Sequence, residues 1–147
     1  MKIKQLEGAF RTCIPIPIYG YRIHVIFTNN FKQDFDTIKN DIYNKNKGRS
    51  ETAITKYSVL DRKGPFSVLE VEPVTGRTNQ IRIHLQKMGH PIVGESVYAF
   101  RKDFALKFKR LCLHAAKIEF KHPVNGKAMR FESPLPEDMD ALINRRS

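Results

Sequence analysis

Tryptophan is absent from this chain of 147 residues, and cysteine occurs only twice. Cys13 and Cys112 form no CxxC pair, which argues against a zinc ribbon or a disulfide framework and implies reduced thiols in a reducing compartment. No apolar run is long enough to span a bilayer. The N-terminal stretch "MKIKQLEGAFRTCIPIPIYG" has no signal-peptide core, and Glu7 and the two prolines argue against an Arg-rich transit helix. These absences imply an intracellular protein, cytoplasmic or organellar, with no membrane partner.

Acidic residues are also in short supply, 15 against 26 Lys and Arg, for a formal charge of +11. So large a charge repels itself on a small domain, and a polyanionic partner offsets it. Nucleic acid is the first candidate and an anionic membrane surface the second; a solvated, merely Lys-rich face is the plain alternative. Hydrophobic residues make up 41% of the chain, enough for one core, with ten Phe and five Tyr supplying aromatic bulk.

Residues 14–28, "IPIPIYGYRIHVIFT", read as extended, because prolines and β-branched residues oppose helix. Phe31, Phe35, Ile38 and Ile42 recur at helical spacing and predict a short surface helix. The polar "NKNKGRS" that follows reads as a loop and the best candidate boundary, dividing the chain into residues 1–50 and 51–147. Beyond it, "AITKYSVLD" and "FSVLEVEP" alternate like half-buried strands joined by the turn "RKGP". A helix is predicted from about Thr78 to Lys87, with Ile81, Leu85 and Met88 as its buried stripe. Thr75 or Thr78 would cap it and Gly89 would stop it. "RKDFALKFKR" reads as a second, basic helix, "AAKIEFKHPVNGKAMRFESP" as a hairpin turning on Asn-Gly, and "PEDMDALINRR" as a closing helix. The fold class is α+β, a mainly antiparallel sheet with flanking helices.

The densest chemistry lies in "VEPVTGRTNQIRIHL". A strand, a Gly-containing turn and a helix start place backbone amides and Arg77 where a phosphate could dock. Asn79 and Gln80 add donors and acceptors, and Arg82 supplies a planar fork for carboxylate or phosphate. A solvated basic helix face is the bland alternative. Five histidines without a cysteine pair do not make a metal site. His90 and His122 precede proline and read as turn residues; Phe104 and Phe108 read as core contacts.

"TGRTNQIRIHLQKMGHPIVGESVY" resembles the signature of RNA pseudouridine synthases of the RluA type, "TGRTHQIRVHL…GHPIVGD…Y". "LHAAKIEFKHPVNGKAMRFESPLPEDM" and "TAITKYSVLD" are similar to further blocks of that family, so the likeness covers residues 51–143, whereas residues 1–50 match poorly. Inside the signature, Asn79 stands where most members have His, and Glu95 where they have Asp. The resemblance implies an enzyme that isomerises uridine to pseudouridine in rRNA or tRNA, without cofactor or metal. It implies that Arg82 partners the catalytic Asp, and that Gly76, Arg77, Asn79, Gln80 and His114 contact RNA.

The family's nucleophile sits in an "RLD..TSG" block, and this chain has none. Asp61 in "VLDRKG" lacks that context and reads as a turn residue. The chain thus resembles the C-terminal part of a catalytic domain, predicted inactive alone, with a second chain or a missing N-terminal half completing the site. An RNA-binding relative without the chemistry is the alternative. On either reading Arg82 is expected to lack a carboxylate within this chain, which predicts a partner's carboxylate or a wetter pocket.

Overall fold

The computed structural model describes residues 18–28, 32–99 and 108–145. Six strands form one antiparallel sheet: β1 (Ile18–Thr28), β2 (Phe35–Asn44), β3 (Arg49–Lys63), β4 (Phe66–Pro73), β5 (Leu113–Lys121) and β6 (Ala128–Glu132). Their spatial order is β2-β3-β4-β1-β5-β6. Tight hairpins make β2-β3-β4 and β5-β6 neighbours, and β1 is zipped between the two groups. That central place suits a segment whose Ile23, Val25 and Ile26 are all buried. Two short helices, α1 (Gln80–Lys87) and α2 (Glu137–Ile143), complete the described fold.

Strand alternation explains which side chains meet α1. Ile23 pairs with Val71, which in turn pairs with Tyr57; Val25, Leu69 and Val59 repeat the pattern one step along. This face is apolar, and α1 lies over its β2-β3-β4 part, joining Ile81 and Leu85 to the common core. Met139, Leu142 and Ile143 of α2 enter the same core. The loops before and after residues 100–107 are tied to β1: Val93 N donates to the Ile26 carbonyl at 2.9 Å, and Ile26 N donates to the Cys112 carbonyl at 3.1 Å. Gly94 is obligatory there, with φ +79°, since a β-carbon would collide with the Arg110 carbonyl.

Several expectations need correction. The predicted helix through Phe31, Phe35, Ile38 and Ile42 is strand β2 from Phe35 on, and Phe31 lies outside the described residues. Ile38 and Ile42 are four apart, an even number, so they share a strand face as well as a helix face. Phe35, on the other parity, is 77% exposed. "NKNKGRS" is not an open loop but the turn of the β2-β3 hairpin, with Gly48 at φ +62°, and the candidate boundary at residue 50 falls on the second residue of β3.

Helix α1 begins two residues later than predicted and has no side-chain cap from Thr75 or Thr78. Gly89 does end it, at φ +82°. Asp61 is not in a turn but inside β3, beside a bulge, and it pairs with Lys63 at 3.5 Å. The β3-β4 and β5-β6 hairpins and α2 lie where the sequence puts them. Residues 14–17 and most of "RKDFALKFKR", including Phe104, lie outside the described residues; Phe108 packs against the core.

Candidate active site

The loop between β4 and α1 is built from its polar side chains. Thr75 Oγ1 accepts from Ile54 N at 2.9 Å and donates to Gln80 Oε1 at 2.6 Å, which is why it is not a helix cap. Gln80 Oε1 also accepts from Arg77 N at 3.1 Å, and its Nε2 donates to the Ile54 carbonyl and to Thr55 Oγ1. Gln80 is therefore buried and saturated, and it fastens the loop to β3. The amides of Val74 and Thr75 donate to the Ile54 carbonyl. With Arg77 N also engaged, the free-amide cradle expected around Gly76 is largely used up internally. Gly76 itself is exposed, with open space where a side chain would be.

Arg82 is not left without a carboxylate, contrary to expectation. Its Nε and Nη2 donate to the two oxygens of Glu95 at 2.7 and 2.6 Å, a side-on fork. Its guanidinium lies 5.1 Å from the Tyr98 ring centroid, within cation–π range. Asn79 bridges the group: Nδ2 donates to the Tyr98 hydroxyl at 3.2 Å, and Oδ1 faces Arg82 Nη1 at 3.4 Å. Asn79 can do so because it adopts φ +55°, a left-handed conformation that Asn tolerates better than most residues.

Burial pushes the Glu95 carboxyl up, but hydrogen bonds from Arg82 and the amides of Val97 and Tyr98 outweigh it and hold it at about 2. The pairing raises Arg82 above the usual arginine value despite some burial, so the pair is ionic at neutral pH. Asn79 and Glu95, the two departures from the family signature, thus both touch Arg82.

Arg77 faces the β2-β3 hairpin. Its Nε donates to the Thr52 carbonyl at 3.1 Å, and Nη1 lies 3.6 Å from Glu51. His114 is not brought to this group. It pairs with His24, which pairs with Glu70 and through it with Ser58, whereas Thr55, under α1, has the opposite parity. His114 therefore lies on the sheet face away from α1, its Nε2 3.1 Å from the Ser133 carbonyl. Burial lowers the pKa of neighbouring His24, with Glu70 opposing the effect.

His84 is fully buried, with Nδ1 2.9 Å from Thr55 Oγ1 and no hydrogen-bond partner for Nε2 among the described residues. Burial and Lys87 lower its pKa, so it stays neutral. His122 Nδ1 accepts from the amides of Val124 and Asn125 and so organises its turn. Among the described residues no cluster of His, Cys, Asp or Glu could hold a metal ion, and no helix is long and apolar enough to cross a membrane. Buried Cys112 has its thiol pushed up to about 12, which makes it unreactive.

Sequence reasoning singled out Arg82, Arg77, Asn79 and Gln80, and the fold brings all four to the start of α1. It did not assign Glu95 as the partner of Arg82. A signal was present: two departures in one signature, one of them an acid able to pair with an arginine of the same block.

Residues 18–87 match the RNA pseudouridylate synthase family model, which begins within the segment that motif comparison left poorly matched. An uncharacterized RNA pseudouridine synthase of Chlorobaculum parvum is 33% identical over 140 residues, covering 78% of this chain and 43% of that protein. Ribosomal large subunit pseudouridine synthase D of Zymomonas mobilis is 37% identical over 102 residues, covering 65% of this chain and 32% of that protein. The solved structure of human RNA pseudouridylate synthase domain containing 1 shares the fold with a TM-score of 0.68 at 22% identity, over 78% of this chain and 54% of that one. The chain spans less than half the length of these curated relatives. Within that span the motifs, the matched residues and the shared fold agree: the chain belongs to the RNA pseudouridine synthase family.

Proposed function

We propose that this chain supplies one wall of the active site of an RNA pseudouridine synthase, with Arg82 holding the carboxylate of the nucleophilic aspartate. The observation that carries the reading is the way Arg82 is held. Glu95 occupies only the side of the guanidinium formed by Nε and Nη2. Asn79 Oδ1 faces Nη1 at 3.4 Å, so by count one N–H on Nη1 and one on Nη2 remain, a second fork that fits another carboxylate. Glu95 below and the Tyr98 ring against the plane fix that fork in direction before the aspartate arrives. A pre-oriented guanidinium stabilises an ionised carboxylate in a desolvated pocket, where it would otherwise take up a proton.

The aspartate comes from outside the described residues, from an N-terminal half or a second chain. The reaction itself is an isomerisation. The bond from C1′ of the ribose to N1 of uracil breaks, the base turns, and C1′ rejoins through C5. The proton leaves C5 and N1 gains one, so no oxidant, metal or cofactor is required. Phosphates of the flanking nucleotides would lie against Arg77 and the exposed Gly76 loop. The names of several relatives point to large-subunit ribosomal RNA as the substrate class.

The test uses two preparations: the isolated chain and the natural protein captured through an antibody to its C-terminal peptide. Both are incubated with uridine-containing RNA, and pseudouridine is read by nucleoside chromatography. The isolated chain should give no product above a no-protein control, and turnover by it would sink the claim that the aspartate lies elsewhere. In the active protein, Arg82→Lys should cost at least about a hundredfold in turnover, because the ammonium keeps the charge and loses both forks. Lys87→Gln should cost little. Equal losses would end the role given to Arg82.

A further inference from the structure

We propose that the β2-β3 hairpin is an RNA-binding arm, a surface for phosphates outside the target nucleotide; this rests on the RNA reading above. The shape comes first. β3 pairs with β4 only from Thr55 onward, yet β2 and β3 continue as six further pairs, from Lys39 with Ile54 to Asn44 with Arg49. A two-stranded ribbon therefore runs on beyond the end of β4 by roughly 20 Å at about 3.3 Å per residue. Helix α1 and the Gly76–Arg77 loop lie along its base, through Lys87 on the Asp41 carbonyl, Thr75 on Ile54 and Arg77 on Thr52, and Ile42 and Ala53 are buried there, so the exposed part is the tip from Tyr43 to Ser50.

Charge comes second. The turn reads "NKNKGRS", with no apolar side chain to enter a bilayer or a protein core. Lys45, Lys47 and Arg49 are all exposed there. Lys47 and Arg49 are organised, not scattered. Glu51 accepts from Lys47 Nζ at 2.7 Å and from Asn44 Nδ2 at 3.0 Å, and lies 3.8 Å from Arg49 and 3.6 Å from Arg77. One half-buried carboxylate thus anchors three cations and links the hairpin tip to the loop beside Arg82. Lys, Arg and Asn on a protruding ribbon are the groups that contact sugar–phosphate backbone. The positive surface then runs from the active-site wall to the tip, long enough to follow several nucleotides of a structured RNA.

The experiment measures binding of a fluorescein-labelled RNA stem-loop by anisotropy across a salt series. It compares the unsubstituted chain, K45Q/R49Q at the arm, and K121Q/K127Q at the β5-β6 turn, each pair removing two charges. The arm pair should weaken binding by about tenfold and flatten the slope of log affinity against log salt by about 1.5 to 2. The β5-β6 pair should change affinity less than about twofold. Equal losses from both pairs, or no loss from the arm, would overturn the arm while leaving an RNA-binding chain. No binding by the unsubstituted chain would remove the RNA reading and the arm with it. Binding to anionic phosphatidylserine vesicles that depends on the arm, with RNA binding unaffected by it, would make the surface a membrane contact and overturn the proposal.

Discussion

Glu95 and Glu51 both have carboxyls held at about 2, and they reach that value by opposite routes. Glu95 has a side chain only 1% exposed, and its own burial works against ionisation. One guanidinium fork and two backbone amides overcome that penalty. Glu51 relies first on a hydrogen bond from Lys47, then on Asn44, with its cationic partners out in solvent. The first carboxylate fixes a single side chain in a single orientation. The second gathers several flexible side chains without holding any of them tightly. That difference matches the two proposed roles, one arginine oriented toward a reacting group and several cations offered to phosphate.

Removing the charge of Glu95 should therefore give the largest effect on folding. Glu95→Gln leaves Arg82 three-quarters enclosed without its counter-ion, at a cost of about 3 kcal/mol, the low end for breaking a buried pair because some solvent still reaches the arginine. Urea unfolding at neutral pH reads it directly. The pH dependence sharpens the point. The folded pKa lies below the unfolded one, so the stabilisation is present in full above about pH 4.5 and is lost as pH falls toward 2. The variant should lose less stability across that window than the parent chain. Parallel curves would mean that the Arg82–Glu95 pair contributes nothing to folding.

The neutral network under α1 should come next. Thr55→Val keeps the shape but removes the hydroxyl that meets Gln80 and His84, leaving buried polar groups short of a partner. The expected cost is about 1–3 kcal/mol, with loosening of the Gly76–Arg77 loop that Gln80 holds. Hydrogen exchange at the Arg77 amide should rise, and unchanged exchange there would show that Thr75 alone suffices to pin the loop.

Much of this could be read from the sequence, but unevenly. The β3-β4 and β5-β6 hairpins declare themselves through strict alternation and a Gly turn, and α1 through Ile81 and Leu85 four apart. β2 does not, because Ile38 and Ile42 satisfy both periods and only a pairing partner decides between them. The place of His114 was equally hidden. A bulge between Arg22 and Ile23 sets the register of β1 on β5, and no local pattern in "LHAAKIEF" records it. Arg82 was legible as a candidate fork because of its motif. Its partner was not, since Glu95 follows thirteen residues later across an irregular segment where no period links the two.

The smallest effect on folding belongs to Glu51, and it is the one that tests the contrast most directly. Glu51→Gln removes the carboxylate but keeps a group able to accept from Lys47, and every cation it releases already faces water. Exposed ion pairs of this kind contribute little and are screened by salt. The melting temperature should fall only slightly at low ionic strength, and the difference from the parent should vanish near 0.5 M salt, on the order of a 4 Å screening length. RNA binding should move the other way, becoming tighter, because the anion that competes with phosphate for Lys47, Arg49 and Arg77 is gone. A variant that unfolds as readily as Glu95→Gln at any salt would mean that Glu51 is structural in the same sense. A variant that binds RNA more weakly would mean that the carboxylate orders the arm, and that order in those side chains matters more than the charge it offsets.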